Sequence, residues 1–197
     1  MAAEKGVWTP ANIVTCVRIA FIPVFMIVAL AADGASEAPL AVAAFALYVI
    51  LSLTDKVDGY LARSRDEITD FGKFLDPIAD KLLVFSALLL LLDQGFVNVW
   101  FVFVILLREF LVSALRMVAS AAGEVIAADQ LGKAKTAVTM VSLCGFYVSF
   151  FLCSLSLNVL FGWVLGISQA LMVAAVVLTV ISGLQYFWNA RSVLFSA

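Results

Sequence analysis

"TDKVDGYLARSRDEITDFGKFLDPIADK", residues Thr54 to Lys81, interrupts a chain that is otherwise nearly free of charge. It holds 12 of the 26 Asp, Glu, Lys and Arg side chains in a 197-residue sequence that is 64% hydrophobic. Mean hydropathy over the chain is +1.12. Ordinary soluble domains are about half apolar. A helix needs roughly 20 nearly uncharged residues to cross a bilayer core of ~30 Å, and runs of that kind flank the charged window on both sides. The fold class implied is an all-α integral membrane protein.

Outward from the window, six transmembrane helices are expected. The first runs from about Ala11 to Ala31, with Thr9 as its cap and Pro10 at its first position. The second covers about Leu40 to Arg63, and the third starts near Phe74 or Pro77 and ends near Asp93. The last three span Phe96 to Ala121, Ala134 to Leu155 and Leu160 to Asn189. No internal repeat or linker divides residues 1–197, which read as a single domain. Lys5 is followed by Trp8, Pro10 and an Arg-bearing apolar run, so no cleavable signal peptide is expected.

Loop charge orients the spans. Asp33, Glu37 and Asp93 are the charges of one side, whereas Lys5, Arg63, Arg65, Lys73, Lys133, Lys135 and Arg191 fall on the other. The positive-inside rule places both termini and the charged window in the cytoplasm, with the protein in the cell membrane.

Cys16, Cys144 and Cys153 are odd in number, form no CxxC pair and lie in apolar runs, so they read as small buried hydrophobes. The chain has no histidine. A His general base, a His-ligated zinc and a Ser-His-Asp triad are therefore excluded.

At ~100° per residue, Asp55, Asp58, Gly59, Ala62 and Arg63 fall on one helical face, and Asp76 and Asp80 are one turn apart on the next helix. Gly72 is a turn earlier if that helix extends so far, and Pro77 marks a first turn or a kink. Two helices thus present four carboxylates toward each other at a membrane edge, a set that cannot stay ionised without compensation. An all-oxygen set favours Mg²⁺, Mn²⁺ or Ca²⁺ over zinc, and Mg²⁺ usually shares its carboxylates with substrate phosphate. Small residues at Gly59 and Ala62 admit a close ligand, and Arg63 suits a phosphate. Asp66, Glu67 and Asp70 read instead as a solvated loop with Arg65 and Lys73.

The pattern Asp55-x2-Asp58-Gly59-x2-Ala62-Arg63-x8-Gly72-x3-Asp76-x3-Asp80 resembles the full signature of the CDP-alcohol phosphotransferases. That resemblance implies transfer of a phosphatidyl or similar group from a CDP-linked donor to an alcohol, with release of CMP. It also implies a cytoplasm-facing site between helices two and three holding two divalent ions (Mg²⁺ or Mn²⁺). Asp55, Asp58, Asp76 and Asp80 would be the ligands, and Asp80 would also be the general base. Gly59, Ala62, Arg63 and Gly72 would line the CDP site, and a homodimer is expected, with no nucleic-acid partner.

"LREFLVSALR" and "GKAKT" resemble the branch of that family that joins CDP-diacylglycerol to sn-glycerol 3-phosphate, and "NIVTCVR" is similar to its first span. Arg108, Arg116, Lys133, Lys135 and Thr136 would then receive the acceptor phosphate, with Asn12, Thr15 and Arg18 as further substrate contacts. The competing reading pairs Arg108 with Glu109 or an aspartate simply to hold helices together, and sends Lys133 and Lys135 to lipid headgroups. Inositol phosphate and phosphatidylglycerol are alternative acceptors. A divalent-metal transporter is the alternative from another class, because intramembrane carboxylates can mark ion pathways.

Overall fold

The computed structural model describes residues 8–32, 38–64, 69–121 and 130–195. Within these, the side chains of residues 38, 55–64, 70, 73, 120–121, 190 and 192–195 are outside the described set. The described residues form six α-helices and no strand: α1 Pro10–Ala31, α2 Ala38–Ser64, α3 Asp70–Asp93, α4 Val99–Ala121, α5 Gln130–Ser154 and α6 Asn158–Phe195. Two compact units share them, residues 1–90 with 147–161 and residues 91–146 with 162–197.

Helix α1 begins where the sequence signals place it. The Thr9 hydroxyl accepts from the Asn12 amide at 3.3 Å, and Pro10 occupies the first position, where its missing N–H costs nothing. Its buried stripe is Ala11, Thr15, Arg18, Ile22, Phe25 and Ala29, a four-three alternation that keeps one face toward its neighbours. In the first unit α1 packs along α2. Phe25 meets Tyr48 of α2 and Tyr147 of α5 with ring centroids 5.8 and 5.6 Å apart. The two tyrosines stack at 4.9 Å.

The exposed surface is apolar, unlike that of a soluble protein, and small polar residues join the apolar interior. On α6 the buried stripe is Ser168, Met172, Ala175, Thr179, Ser182 and Tyr186, while Val159, Trp163 and Leu184 are among the exposed residues. Small polar residues at helix contacts and large apolar ones outside are how helices pack in lipid. Among the described residues, three helices are long and apolar enough to cross a membrane: Pro10–Ala31, Gln130–Ser154 and Asn158–Asn189 within α6. Pro39–Thr54 of α2 is a shorter apolar helix.

Four boundaries differ from the sequence expectation, the simplest being α5, which begins at Gln130 and not at Ala134. Helix α3 starts at Asp70, ahead of Phe74, and Pro77 lies inside it; only the bond to the Lys73 carbonyl is lost there. Helix α4 starts at Val99, not Phe96, because α3 ends in a Schellman cap. Gly95 takes φ +75°, its amide bonds to Leu92 O at 3.0 Å, and the Phe96 amide bonds to Leu91 O at 2.9 Å. Asn98 then caps α4, its side-chain oxygen accepting from the Trp100 amide at 2.9 Å. Finally, α6 continues past Asn189 to Phe195. The cysteines are free but only half-buried, which is less than expected.

In the second unit α5 and α6 approach closely at Gly145. A Cβ there would strike the Ser168 hydroxyl and lie 3.3 Å from the Ser168 Cβ. The Ser142 hydroxyl also donates to Ser168 O at 2.8 Å. Gly145→Ala is expected to destabilise the protein by about 1–3 kcal/mol, the usual cost of overpacking, read as a lowered unfolding midpoint in detergent. An unchanged midpoint would mean that the two helices separate without cost.

Candidate active site

The first unit contains the acidic helix α3 and the helix that supports it. Thr69 stands one residue before α3, and its hydroxyl accepts from the Gly72 amide at 3.0 Å, which satisfies one of the open N–H groups of the first turn. The same hydroxyl accepts from Asn12 Nδ2 of α1 at 2.8 Å. Gly72 is buried, and a Cβ on it would fall 2.6 Å from Asn12 Oδ1 and 3.2 Å from Thr69 Oγ1. A methyl group at position 72 would have to displace the Asn12 side chain from its bond to Thr69.

One turn further on, Thr15 Oγ1 of α1 donates to Asp76 Oδ1 of α3 at 3.0 Å. The links 12 to 69 and 15 to 76 advance together, so α1 and α3 run in the same direction. Asp76 and Asp80 are both half-buried and separated by one helical turn. Arg18, one turn beyond Thr15, is 1% exposed. Asn12 and Thr15, expected as substrate contacts, each have a partner within the protein, Asn12 in Thr69 just before the acidic helix and Thr15 in Asp76 within it. Asp55, Asp58, Gly59, Ala62 and Arg63 belong to α2, but their side chains lie outside the described residues.

The second unit gathers the basic residues. Glu109 Oε1 accepts from Arg108 Nη1 at 3.2 Å and also from Lys135 Nζ of α5. All three are largely buried, with side chains 13% (Arg108), 19% (Glu109) and 6% (Lys135) exposed. Arg108 reaches this point along two glycines. A Cβ on Gly183 of α6 would sit 3.2 Å from its Cγ, and one on Gly132 of α5 would sit 3.2 Å from its Nη2. The formal charge of the triad is +1. Arg108 Nε is buried without a hydrogen-bond partner among the described residues, and such an orphaned donor calls for a missing acceptor. The chemistry that fits is an oxyanion taken up by the guanidinium fork.

The remaining members are placed less closely. Arg116 is exposed; its Nε donates to Tyr186 Oη at 3.2 Å, and its guanidinium lies 5.6 Å from the centre of that ring. Lys133 and Thr136 are exposed, and the Thr136 hydroxyl donates to Gly132 O at 3.0 Å. Sequence reasoning missed Thr69, Gly132, Gly183 and Tyr186. For Thr69 a signal existed, a threonine directly before an acidic first turn. For the other three there was none, because their roles depend on helices distant in sequence.

The CDP-alcohol phosphatidyltransferase family model matches residues 8–181, and the chain belongs to that family. Among its relatives, the CDP-diacylglycerol--glycerol-3-phosphate 3-phosphatidyltransferase of Bacillus subtilis (strain 168) is 42% identical over 193 residues, covering 91% of this chain and 95% of that protein. The probable phosphatidylglycerophosphate synthase of Mycobacterium tuberculosis (strain ATCC 25618 / H37Rv) is 39% identical over 186 residues, covering 94% and 83%. A third, the CDP-diacylglycerol--glycerol-3-phosphate 3-phosphatidyltransferase of Rickettsia bellii (strain RML369-C), is 37% identical over 177 residues, covering 89% and 92%.

Proposed function

We propose that this chain transfers a phosphatidyl group from CDP-diacylglycerol to sn-glycerol 3-phosphate, giving phosphatidylglycerol phosphate and CMP. The observation that carries the reading is the acidic signature on α2 and α3 in a chain whose relatives of nearly equal length bear the name of this activity. Support for a phosphorylated acceptor comes from Arg108, whose buried Nε has no partner among the described residues beside the buried Lys135.

All six helices cross the membrane in this reading, the whole chain acts as one catalytic domain, and the site and both termini face the cytoplasm. Asp55, Asp58, Asp76 and Asp80 hold two divalent ions, Mg²⁺ or Mn²⁺. Hard carboxylate donors suit such ions, and Asp76 and Asp80 are spaced one turn apart on α3. The ions supply neutralisation of the charge that develops on the phosphoryl oxygens. Gly59, Ala62, Arg63 and Gly72 border the CDP moiety. Arg108 and Lys135 orient the acceptor phosphate, with Arg116, Lys133 and Thr136 around them.

The acceptor hydroxyl oxygen attacks the β-phosphorus. A new P–O bond forms, the bond from that phosphorus to the bridging oxygen breaks, and CMP leaves with the electron pair. Asp80 accepts the hydroxyl proton, a role that falls to a carboxylate in a chain without histidine. A homodimer in the membrane is part of the same reading.

The test is CMP release by purified protein supplied with CDP-diacylglycerol and Mg²⁺ or Mn²⁺, with each acceptor offered separately. Release with sn-glycerol 3-phosphate alone is expected. Release only with inositol phosphate or phosphatidylglycerol would keep the chemistry and change the acceptor. A protein that binds metal and releases no CMP with any acceptor would point to transport.

A further inference from the structure

We infer that Thr15 is a positioning residue, which fixes the orientation of the Asp76 carboxylate for the divalent ion; this rests on the metal reading given above. Three features of the structure lead there. Thr15 is 0% exposed, so its hydroxyl cannot turn to water. Its Oγ1 lies 3.1 Å from Ala11 O, one turn back on its own helix, and 3.0 Å from Asp76 Oδ1. A β-branched side chain in a helix has few χ1 choices, and a threonine commonly anchors its hydroxyl on the i−4 carbonyl. Helix α1 alone therefore sets where this hydroxyl stands, before Asp76 is considered.

Asp76 then meets a donor it did not place. The single O–H proton is shared between two acceptors, and the carboxylate is drawn to one orientation by a group that does not move with α3. The registry of the two helices is secured one turn earlier, where Asn12 bonds to Thr69 and Gly72 leaves room for it. Carboxylates that ligate metals are typically held by such outer partners, and losing one costs about 10–100-fold in affinity or activity. Thr15 thus acts on the reaction through Asp76.

Mn²⁺ binding to the full-length detergent-solubilised protein, without substrates, tests this. The free ion is counted by its paramagnetic resonance signal. Thr15→Val keeps the shape and removes the hydroxyl, and is expected to weaken Mn²⁺ binding about 10–100-fold. Thr15→Ser keeps the hydroxyl and is expected to stay within about threefold of the parent. Should the valine variant not fold, Thr15→Ala set against Thr15→Ser makes the same comparison. Thr179→Val removes a buried hydroxyl of the second unit that bonds only to Ala175 O among the described contacts, and is expected to leave Mn²⁺ binding unchanged. Unchanged binding in Thr15→Val, or equal losses in the valine and serine variants, would overturn the inference. A parent protein that binds no Mn²⁺ would overturn the metal reading itself, and the inference with it.

Discussion

Asp80→Asn is expected to lower the turnover of CMP release by about 10³-fold or more while binding of the CDP-lipid remains measurable. General-base groups contribute about 10²–10⁴-fold, and Asp80 is in addition one of the four carboxylates assigned to the metals. Asparagine has nearly the same shape, and Asp80 is only half-buried in the middle of α3, so the helix is not disturbed. Charge in general is controlled for by Asp93→Asn, at the exposed end of the same helix, which is expected to leave turnover unchanged. Turnover in Asp80→Asn equal to the parent's would remove Asp80 from both roles. A loss that tracks weakened CDP-lipid binding would move it to the donor pocket.

Arg108→Ala is expected to raise KM for sn-glycerol 3-phosphate about 10–100-fold, with KM for CDP-diacylglycerol changed by less than about threefold. A hydrogen bond to a charged group contributes roughly 1.5–3 kcal/mol, and each 1.4 kcal/mol is tenfold. The variant can be expected to fold because Glu109 and Lys135 remain paired with each other, so no buried charge is stranded. Arg108→Lys keeps the charge but loses the planar fork, and an intermediate KM is expected. Equal rises for both substrates, or none, would return Arg108 to a part that merely joins α4 to its neighbours. Its bond to Glu109 is the contact that such a role would use.

Local chemistry explains which parts of the fold could be read in advance. Thr9 and Pro10 mark the start of α1 because a cap and its proline act within one turn. The start of α3 carries a cap of the same kind in Thr69, but Pro77 is the more conspicuous signal and points further along the chain. Proline at position 77 looked like a beginning, whereas the helix is already anchored at Thr69 by bonds from Gly72 and from Asn12, 57 residues earlier. Gly95 and Asn98 are ordinary stop and start signals, but they are embedded in the apolar run "GFVNVW" and were outweighed by it. At the other hairpin the signal is weaker still. Ser156 takes φ +59° and closes α5 with bonds from Ser156 N to Cys153 O and from Leu157 N to Leu152 O, a place where glycine is the usual residue.

The candidate site divides in the same way. The spacing of Asp76 and Asp80 is a property of one helix and was visible as a pattern of four. Thr15 was visible only as a polar residue in an apolar span, and its partner came with the packing of α1 on α3. Likewise Arg108 was conspicuous in sequence, but the glycines that admit it are on two other helices, at Gly132 and Gly183.

The central claim is the chemical identity of donor and acceptor, and following the acceptor's atoms tests it most directly. Purified protein is incubated with CDP-diacylglycerol, Mg²⁺ and sn-glycerol 3-phosphate carrying a carbon label, and the lipid phase is extracted and weighed against CMP in the aqueous phase. Label is expected to enter a lipid with the mass of phosphatidylglycerol phosphate, in one-to-one ratio with CMP, and to be absent from the lipid phase with Asp80→Asn. CMP released with no label in lipid would contradict the account.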